Sequence, residues 1–423
     1  MNEALLQFIW QFQYFEKVNL ETECGKKVRV IQPGIHNRNQ GPDFLNARVE
    51  IDDTLWSGSI ELHVFPSQWI AHKHSQDANY NNVILHVVWQ SDAVIDLGFP
   101  TLVLQTLVPK LLLEKYAVLM TKQQFIPCGN AITSVPEITM LAWKERLLAE
   151  RMQQKAIVTN GMLEQNKNHW EETFWWLLAK NFGVKINADS FEAVAKSVSI
   201  SILSKHKNQL QQLEALLLGQ ANLLSAEATD AYAIMLYKEF LFLQKKYKLT
   251  PVVISVHFLR MRPANFPTIR LAQLAALIQS STHLFSTIIE AANLAAVKKR
   301  FNVSANDYWH YHYLVDVTSA FKIKQLGKQM IENIIINTVV PMLYAYGKSI
   351  GNSALVQKAL LWLTELPDEK NTITSGFSNL GISCANAADS QFQIQLKNNY
   401  CDQKRCLECS IGNAILKRSD IKV

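Results

Sequence analysis

The spacing of apolar residues changes near residue 111, and that change restricts the chain to a mixed architecture. Before it, apolar and polar residues alternate. Leu45, Ala47, Val49 and Ile51 are interleaved with Asn46, Arg48 and Glu50, the period-two pattern of a half-buried strand. Further strands are predicted at 28–32, 55–65, 83–89 and 101–107, with a turn at Asp52-Asp53. Leu5, Phe8, Ile9, Phe12 and Phe15 mark one face of an N-terminal helix. Pro66-Ser67 opens a short helix running through Trp69 to His72. The predicted order is α-β-β-β-α-β. Beyond 111 the spacing becomes helical, at 111–121, 136–158, 165–181, 190–203, 210–218, 226–247, 269–279, 285–298 and 325–346. No repeat period is evident. The expected fold class is therefore α+β. The expected domains are a sheet-containing domain at 1–110, an all-α domain at 111–382 and a cysteine-rich tail at 383–423.

A chain of 423 residues with 48% hydrophobic and 18% charged residues has enough apolar surface for more than one core, which excludes a disordered protein. Residues 1–15 carry Glu3 and no basic segment, so they read as a helix and not as a secretory signal. The longest apolar run, 334–346, is broken by Asn337 and Pro341 and is too short to span a bilayer. Six unevenly placed cysteines do not form a secreted disulfide framework. The expectation is a cytoplasmic protein with no membrane partner. The first 110 residues hold 8 Lys and Arg against 12 Asp and Glu, whereas the remainder holds 34 against 24. An acidic segment suited to cations thus precedes a mildly basic one that is either a solvated surface or a surface for polyanions.

Five of the eleven histidines fall before residue 90, among carboxylates. Asp43 follows Gly41-Pro42, Glu61 and His63 flank Leu62, and His72, His74 and Asp77 follow within a few residues. His86 lies in the apolar run around Leu85 and Val87. In a strand, Glu61 and His63 share one face, opposite Ile60, Leu62 and Val64. An antiparallel neighbour can set Asp43 beside Glu61. Two carboxylates that close repel each other unless a proton or cation lies between them. Mg²⁺ or Mn²⁺ suits the carboxylates, and the imidazoles shift the preference towards Mn²⁺ or Zn²⁺. His72, His74 and His86 have two readings, as metal ligands or as helix-end and core residues.

Pro42-Asp43, an eighteen-residue interval, then Glu61-Leu62-His63, together with the strand order, resembles the PD-(D/E)XK nuclease superfamily. The resemblance implies a nuclease-like domain in which Asp43 and Glu61 hold the catalytic divalent cation. It also implies a lysine two positions after Glu61, where this chain has His63, a ligand or a base in that setting. Lys73 is the candidate substitute for the lysine, and Glu16 the candidate further ligand from the first helix. Gly41-Pro42-Asp43-Phe44, Trp56-Ser57-Gly58, Glu61-Leu62-His63, the spacing His72-x-His74-x-x-Asp77-x-x-Tyr80 and the run from Val83 to Val88 also resemble an uncharacterised bacterial family, domain of unknown function 2851. That likeness spans nearly the whole chain and implies no activity.

In the tail, Cys401-x4-Cys406-x2-Cys409 has the spacing of a Zn²⁺ or Fe–S site. Cys384 is the nearest fourth thiol, and Cys24 and Cys128 are the others. Some nucleases of the superfamily named above carry a four-cysteine Fe–S cluster with one cysteine ahead of the core, a place Cys24 occupies here. Arg260, Arg262 and Arg270 surround a loop with two prolines and Phe266, a pattern that can grip phosphates and stack on a base, or tie domains together. The aromatic run from Tyr308 to Tyr313 has two readings, as core or as a nucleic-acid platform, and the pair Trp175-Trp176 reads as core. The leading expectation is a metal-dependent phosphodiesterase acting on nucleic acid, with Asp43, Glu61 and His63 at its centre. Two alternatives stand beside it: a non-catalytic nucleic-acid-binding or assembly protein on a degenerate nuclease fold, and a metal-dependent small-molecule hydrolase.

Overall fold

The computed structural model describes every residue except Arg38, Lys122, Gln123, Arg260, Thr282 and 419–423. The chain is a mixed α+β protein whose sheet lies near the N-terminus and is followed by many helices. It divides into two compact units, Met1–Trp143 with Leu396–Val423, and Lys144–Gln395. These limits differ from the expected 110 and 382. The helix at Lys110–Thr121 packs against the C-terminal helix Ser410–Lys417, so both lie in the first unit.

The first unit begins with helix α1 (Glu3–Phe12), capped by the Asn2 side chain on the Leu5 N–H. Leu5, Leu6, Phe8, Ile9 and Trp10 are buried, and Gln13 ends the helix in the left-handed region. The sheet follows as β1 (Leu20–Glu21), β2 (Lys27–Gln32), β3 (Ile35–His36), β4 (Phe44–Ile51), β5 (Thr54–His63), β6 (Val83–Val88) and β7 (Thr101–Val103). Its order is β1-β2-β4-β5-β6-β7, with β3 paired to β4. Strands β2, β4 and β5 are antiparallel neighbours, whereas β5, β6 and β7 run parallel. Every residue of β6 is buried, as expected of a strand covered on both faces.

The alternation in β4 is interrupted. Phe44 pairs with Ile60 and Ala47 with Gly58, with a register shift between them and Asn46 at φ 58°. This bulge turns Phe44 into the core and leaves Leu45 exposed, the reverse of the simple period-two reading. It also fixes the register that sets Asp43 against Glu61.

Gly58 is required where β5 meets the approach to β6. A Cβ there would stand 2.5 Å from Ile84 Cγ2 and 2.6 Å from the Asn82 carbonyl oxygen, while the next residue, Ser59, donates its N–H to that same oxygen. Gly58→Ala must therefore push backbone apart, and is expected to destabilise the protein by about 1–3 kcal/mol. Urea unfolding checks this, and an unchanged midpoint would contradict the close approach.

The described residues of the second unit are mainly helical, with a short hairpin, His312–Leu314 with Val317–Thr318, that begins in the aromatic run. Its helix Pro267–Ser280 is buried from Pro267 to Ile278 and forms the centre of a core that includes Trp175, Phe285 and Trp309. Pro341 lies within a long helical stretch and cannot donate to the carbonyl four residues earlier. A π-helical turn at Ile335–Val339 precedes it, and the Asn337 carbonyl accepts from the Asn181 side chain instead, at 3.2 Å. No helix among the described residues is long and apolar enough to cross a membrane.

Candidate metal centre

Strand β5 carries Glu61 and His63 to the buried end of the sheet. Asp43, just ahead of β4, lies opposite Glu61. Its backbone N–H donates to Glu61 Oε2 at 3.0 Å, and its own Oδ2 accepts from the Leu62 N–H at 3.1 Å. Asp43 Oδ1 accepts from Gln7 Nε2 at 2.8 Å. Both Asp43 oxygens are thus engaged by the fold, whereas Glu61 keeps Oε1 free of the sheet.

Helix α2 (Gln68–Ala71) follows β5 and ends at His72. Lys73 then adopts φ 60°, and a 3₁₀ turn starts at His74. This left-handed step between two histidines brings both imidazoles back over β5. His63 Nε2 stands 3.2 Å from His72 Nδ1 and 3.5 Å from Glu61 Oε1. His74 Nε2 stands 3.4 Å from the same Glu61 oxygen. One nitrogen from each of His63, His72 and His74 lies within 4.8 Å of the others. His86, opposite Glu61 on β6, places Nε2 2.9 Å from His63 Nδ1. Tyr80 stacks on His74 at 3.9 Å between ring centres, and Trp69 meets His74 and His86 edge-on.

Burial sets the protonation of this cluster. Burial, then the charge of Asp43, pushes the Glu61 carboxyl up, and burial with the charge of Glu3 pushes Asp43 up. Burial and the neighbouring imidazoles hold His63 at about 3, and burial chiefly holds His86 at about 4. His74 is lowered too, mainly by burial. Neutral imidazoles make the His–Glu contacts something other than ion pairs. Two buried nitrogens, His74 Nε2 and His86 Nδ1, have no hydrogen-bond partner.

The spacing suits a cation. Ligand bonds of about 2.0–2.2 Å in a tetrahedron set donor atoms about 3.3–3.5 Å apart. Three of the six edges such a set would need are of that length: His63 to His72 at 3.2 Å, His63 to Glu61 at 3.5 Å and His74 to Glu61 at 3.4 Å. Mainly imidazole donors suit Zn²⁺ or Mn²⁺ better than Mg²⁺. With its Nε2 aimed at the centre, His63 keeps Nδ1 within hydrogen-bond distance of His86 Nε2, the kind of outer support that ligating histidines usually receive. His72 is exposed and marks the side open to solvent.

The family described as protein of unknown function, DUF2851, matches residues 3–372. The chain belongs to the DUF2851 family. No curated protein and no solved structure matches it. In this DUF2851 member the matched span contains every residue of the cluster just described.

Other expected site residues have different surroundings. Lys73 is exposed on its left-handed turn. Glu16 lies beyond α1, exposed, and accepts from the Val18 N–H; the α1 carboxylate that acts on Asp43 and Glu61 is Glu3. Asp77 caps the next 3₁₀ turn through the Asn79 N–H. Arg262 is exposed, whereas Arg270 is buried and donates to Gln273 and Asn265. A buried guanidinium with both ends occupied is not placed to grip phosphate. Arg260 lies outside the described residues. Cys384 belongs to the second unit and contacts Ser390, whereas Cys401, Cys406 and Cys409 belong to the first. Gln7 and Tyr80 escaped the sequence reading as site residues. Gln7 sits one turn from Glu3 on α1, and Tyr80 closes the His72-x-His74 spacing, so both had a signal.

Proposed function

We propose that this chain is a metal-dependent phosphodiesterase acting on nucleic acid, with its cation held by His63, His72, His74 and Glu61. The observation that carries this reading is the convergence of three imidazoles within 4.8 Å of one another, with Glu61 Oε1 at 3.5 and 3.4 Å from two of them and His74 Nε2 buried without a hydrogen-bond partner. When bound, a divalent cation supplies Lewis-acid polarisation of a phosphoryl oxygen and makes water more acidic. The chain's own residues do the rest. Asp43 holds the Glu61 end of β5 through two backbone hydrogen bonds, and Tyr80 fixes the plane of His74. Exposed His72 leaves one side for substrate, and exposed Lys73 next to it can meet a phosphate oxygen. The helix, antiparallel strands, helix and parallel strand around Asp43 and Glu61 are in the order of the PD-(D/E)XK nucleases, which supports the substrate class.

One observation favours a non-catalytic, nucleic-acid-binding reading. His63 stands where that superfamily has lysine, and both of its ring nitrogens face other histidines. The test is cleavage of single- and double-stranded DNA, RNA and a small aryl phosphodiester, with Zn²⁺, Mn²⁺ or Mg²⁺ supplied in turn. Metal-dependent cutting of a nucleic acid is expected, reduced at least about a hundredfold in His72→Ala/His74→Ala. Binding without cutting would replace this reading with the non-catalytic one. Turnover of the small diester alone would replace it with a small-molecule hydrolase.

A further inference from the structure

Four of the six cysteines line one small cavity in the first unit. Cys128 comes from the turn after Pro127. Cys401, Cys406 and Cys409 come from the C-terminal segment. The cavity measures about 10 Å³, and its other walls include Leu396, Tyr400 and Ile411. All four are free thiols. A thiol is a weak donor and a weak acceptor, so four of them have little hydrogen-bonding reason to converge. Cysteines from separate segments that line one cavity are the usual arrangement of a Cys₄ metal site.

We infer that Cys128, Cys401, Cys406 and Cys409 form a four-thiolate centre for a soft metal, either Zn²⁺ or an iron–sulfur cluster, that fastens the C-terminal segment to the first unit. The local backbone is built for it. Cys401 ends a π-helical turn, Lys397–Cys401, a feature frequent at functional sites. Cys406 and Cys409 flank a 3₁₀ turn with the two-residue interval of zinc ligands. Burial pushes the Cys409 thiol up, and the N–H groups of Ile411 and Gly412, at the start of helix Ser410–Lys417, together with the Trp143 indole, pull it the other way. Such donors stabilise negative charge on sulfur. At Gly412 a Cβ would stand 2.2 Å from the Cys406 carbonyl oxygen, so glycine is what allows this helix start to come so close. Positive charge is also at hand. Lys397 acts on Cys401, Lys404 acts on Cys406, and Arg405 lines the cavity. Four thiolates around a dication leave a net negative charge, which these side chains face, although Lys397 also pairs with Asp402 and Arg405 with Glu408. Cys128 thus takes the place that proximity in sequence gave to Cys384.

The test uses the full chain carrying His72→Ala/His74→Ala, so that the histidine site contributes no metal. The protein is produced with both iron and zinc supplied and purified without oxygen. Metal analysis and visible absorption then separate the two forms. Zinc without colour identifies the zinc form, and iron with sulfide and visible absorption identifies the cluster. Either is expected to fall to background in Cys128→Ser and Cys406→Ser and to persist in Cys384→Ser. X-ray absorption on the parent should show sulfur ligands only, at about 2.3 Å for zinc, and it decides the matter if the serine variants fail to fold. Metal-free protein, nitrogen or oxygen ligands, or full retention of metal in a folded Cys128→Ser variant would each overturn the inference.

Discussion

Glu61→Gln is expected to weaken divalent-cation binding by more than roughly a hundredfold, and Asp43→Asn by about 10–100-fold. The two carboxylates look equivalent in sequence, but the fold gives them different work. Glu61 Oε1 stands 3.5 and 3.4 Å from nitrogens of His63 and His74, and among His63, His72, His74 and Glu61 it is Glu61 that can carry negative charge once a cation displaces its proton. Glutamine keeps an acceptor for the Asp43 N–H and removes that charge. The Asp43 oxygens are occupied by Gln7 and the Leu62 N–H, so its loss disturbs the position of Glu61 and not a ligand bond. Competition between stripped protein and a chromophoric chelator measures both. Equal losses would make Asp43 a ligand in its own right, as the nuclease resemblance implies. An unchanged affinity in Glu61→Gln would remove the centre altogether.

The difference between these two carboxylates shows where sequence reading stops. The strand carrying Glu61 and His63 and the pairing that brings Asp43 alongside were legible, because period-two alternation is a local signal. The bulge at Asn46 was not, since a left-handed residue inside a strand leaves the composition almost unchanged. The same applies to His72 and His74. Two histidines two apart share a face in a strand and not in a helix, and here they meet because Lys73 steps through φ 60° between a helix end and a 3₁₀ turn. Neither regular period describes that step. Cys128 was one of three candidate fourth thiols, and only the tertiary fold sets it on one cavity with Cys401, Cys406 and Cys409, because spacing carries no information about contacts between distant segments. The unit boundary at 143 escaped for a related reason. A helix at 110–121 has the same periodicity whichever core it joins.

The second unit offers a different test, because its core holds an acid that burial keeps protonated. Glu214 lies on helix Leu210–Gln220 and is fully buried. Its Oε2 accepts from the Tyr232 hydroxyl at 2.8 Å and its Oε1 from Asn306 Nδ2 at 2.9 Å. Burial pushes its carboxyl from 4.5 to about 7, although these hydrogen bonds pull the other way. The folded chain therefore holds this proton more tightly than the unfolded chain does. The stability it contributes is fully present below about pH 4.5 and is lost as pH rises through about 7. The loss amounts to about 3 kcal/mol. Glu214→Gln keeps the shape and both hydrogen-bonded neighbours but cannot ionise. Its stability relative to the wild type is expected to rise by about that amount across the same interval. Urea unfolding of both proteins at several pH values gives the difference directly, and subtraction removes the titrations they share. A difference that stays flat would mean that Glu214 ionises in the folded protein as it does in water, and that the Tyr232–Asn306 pocket accommodates its charge.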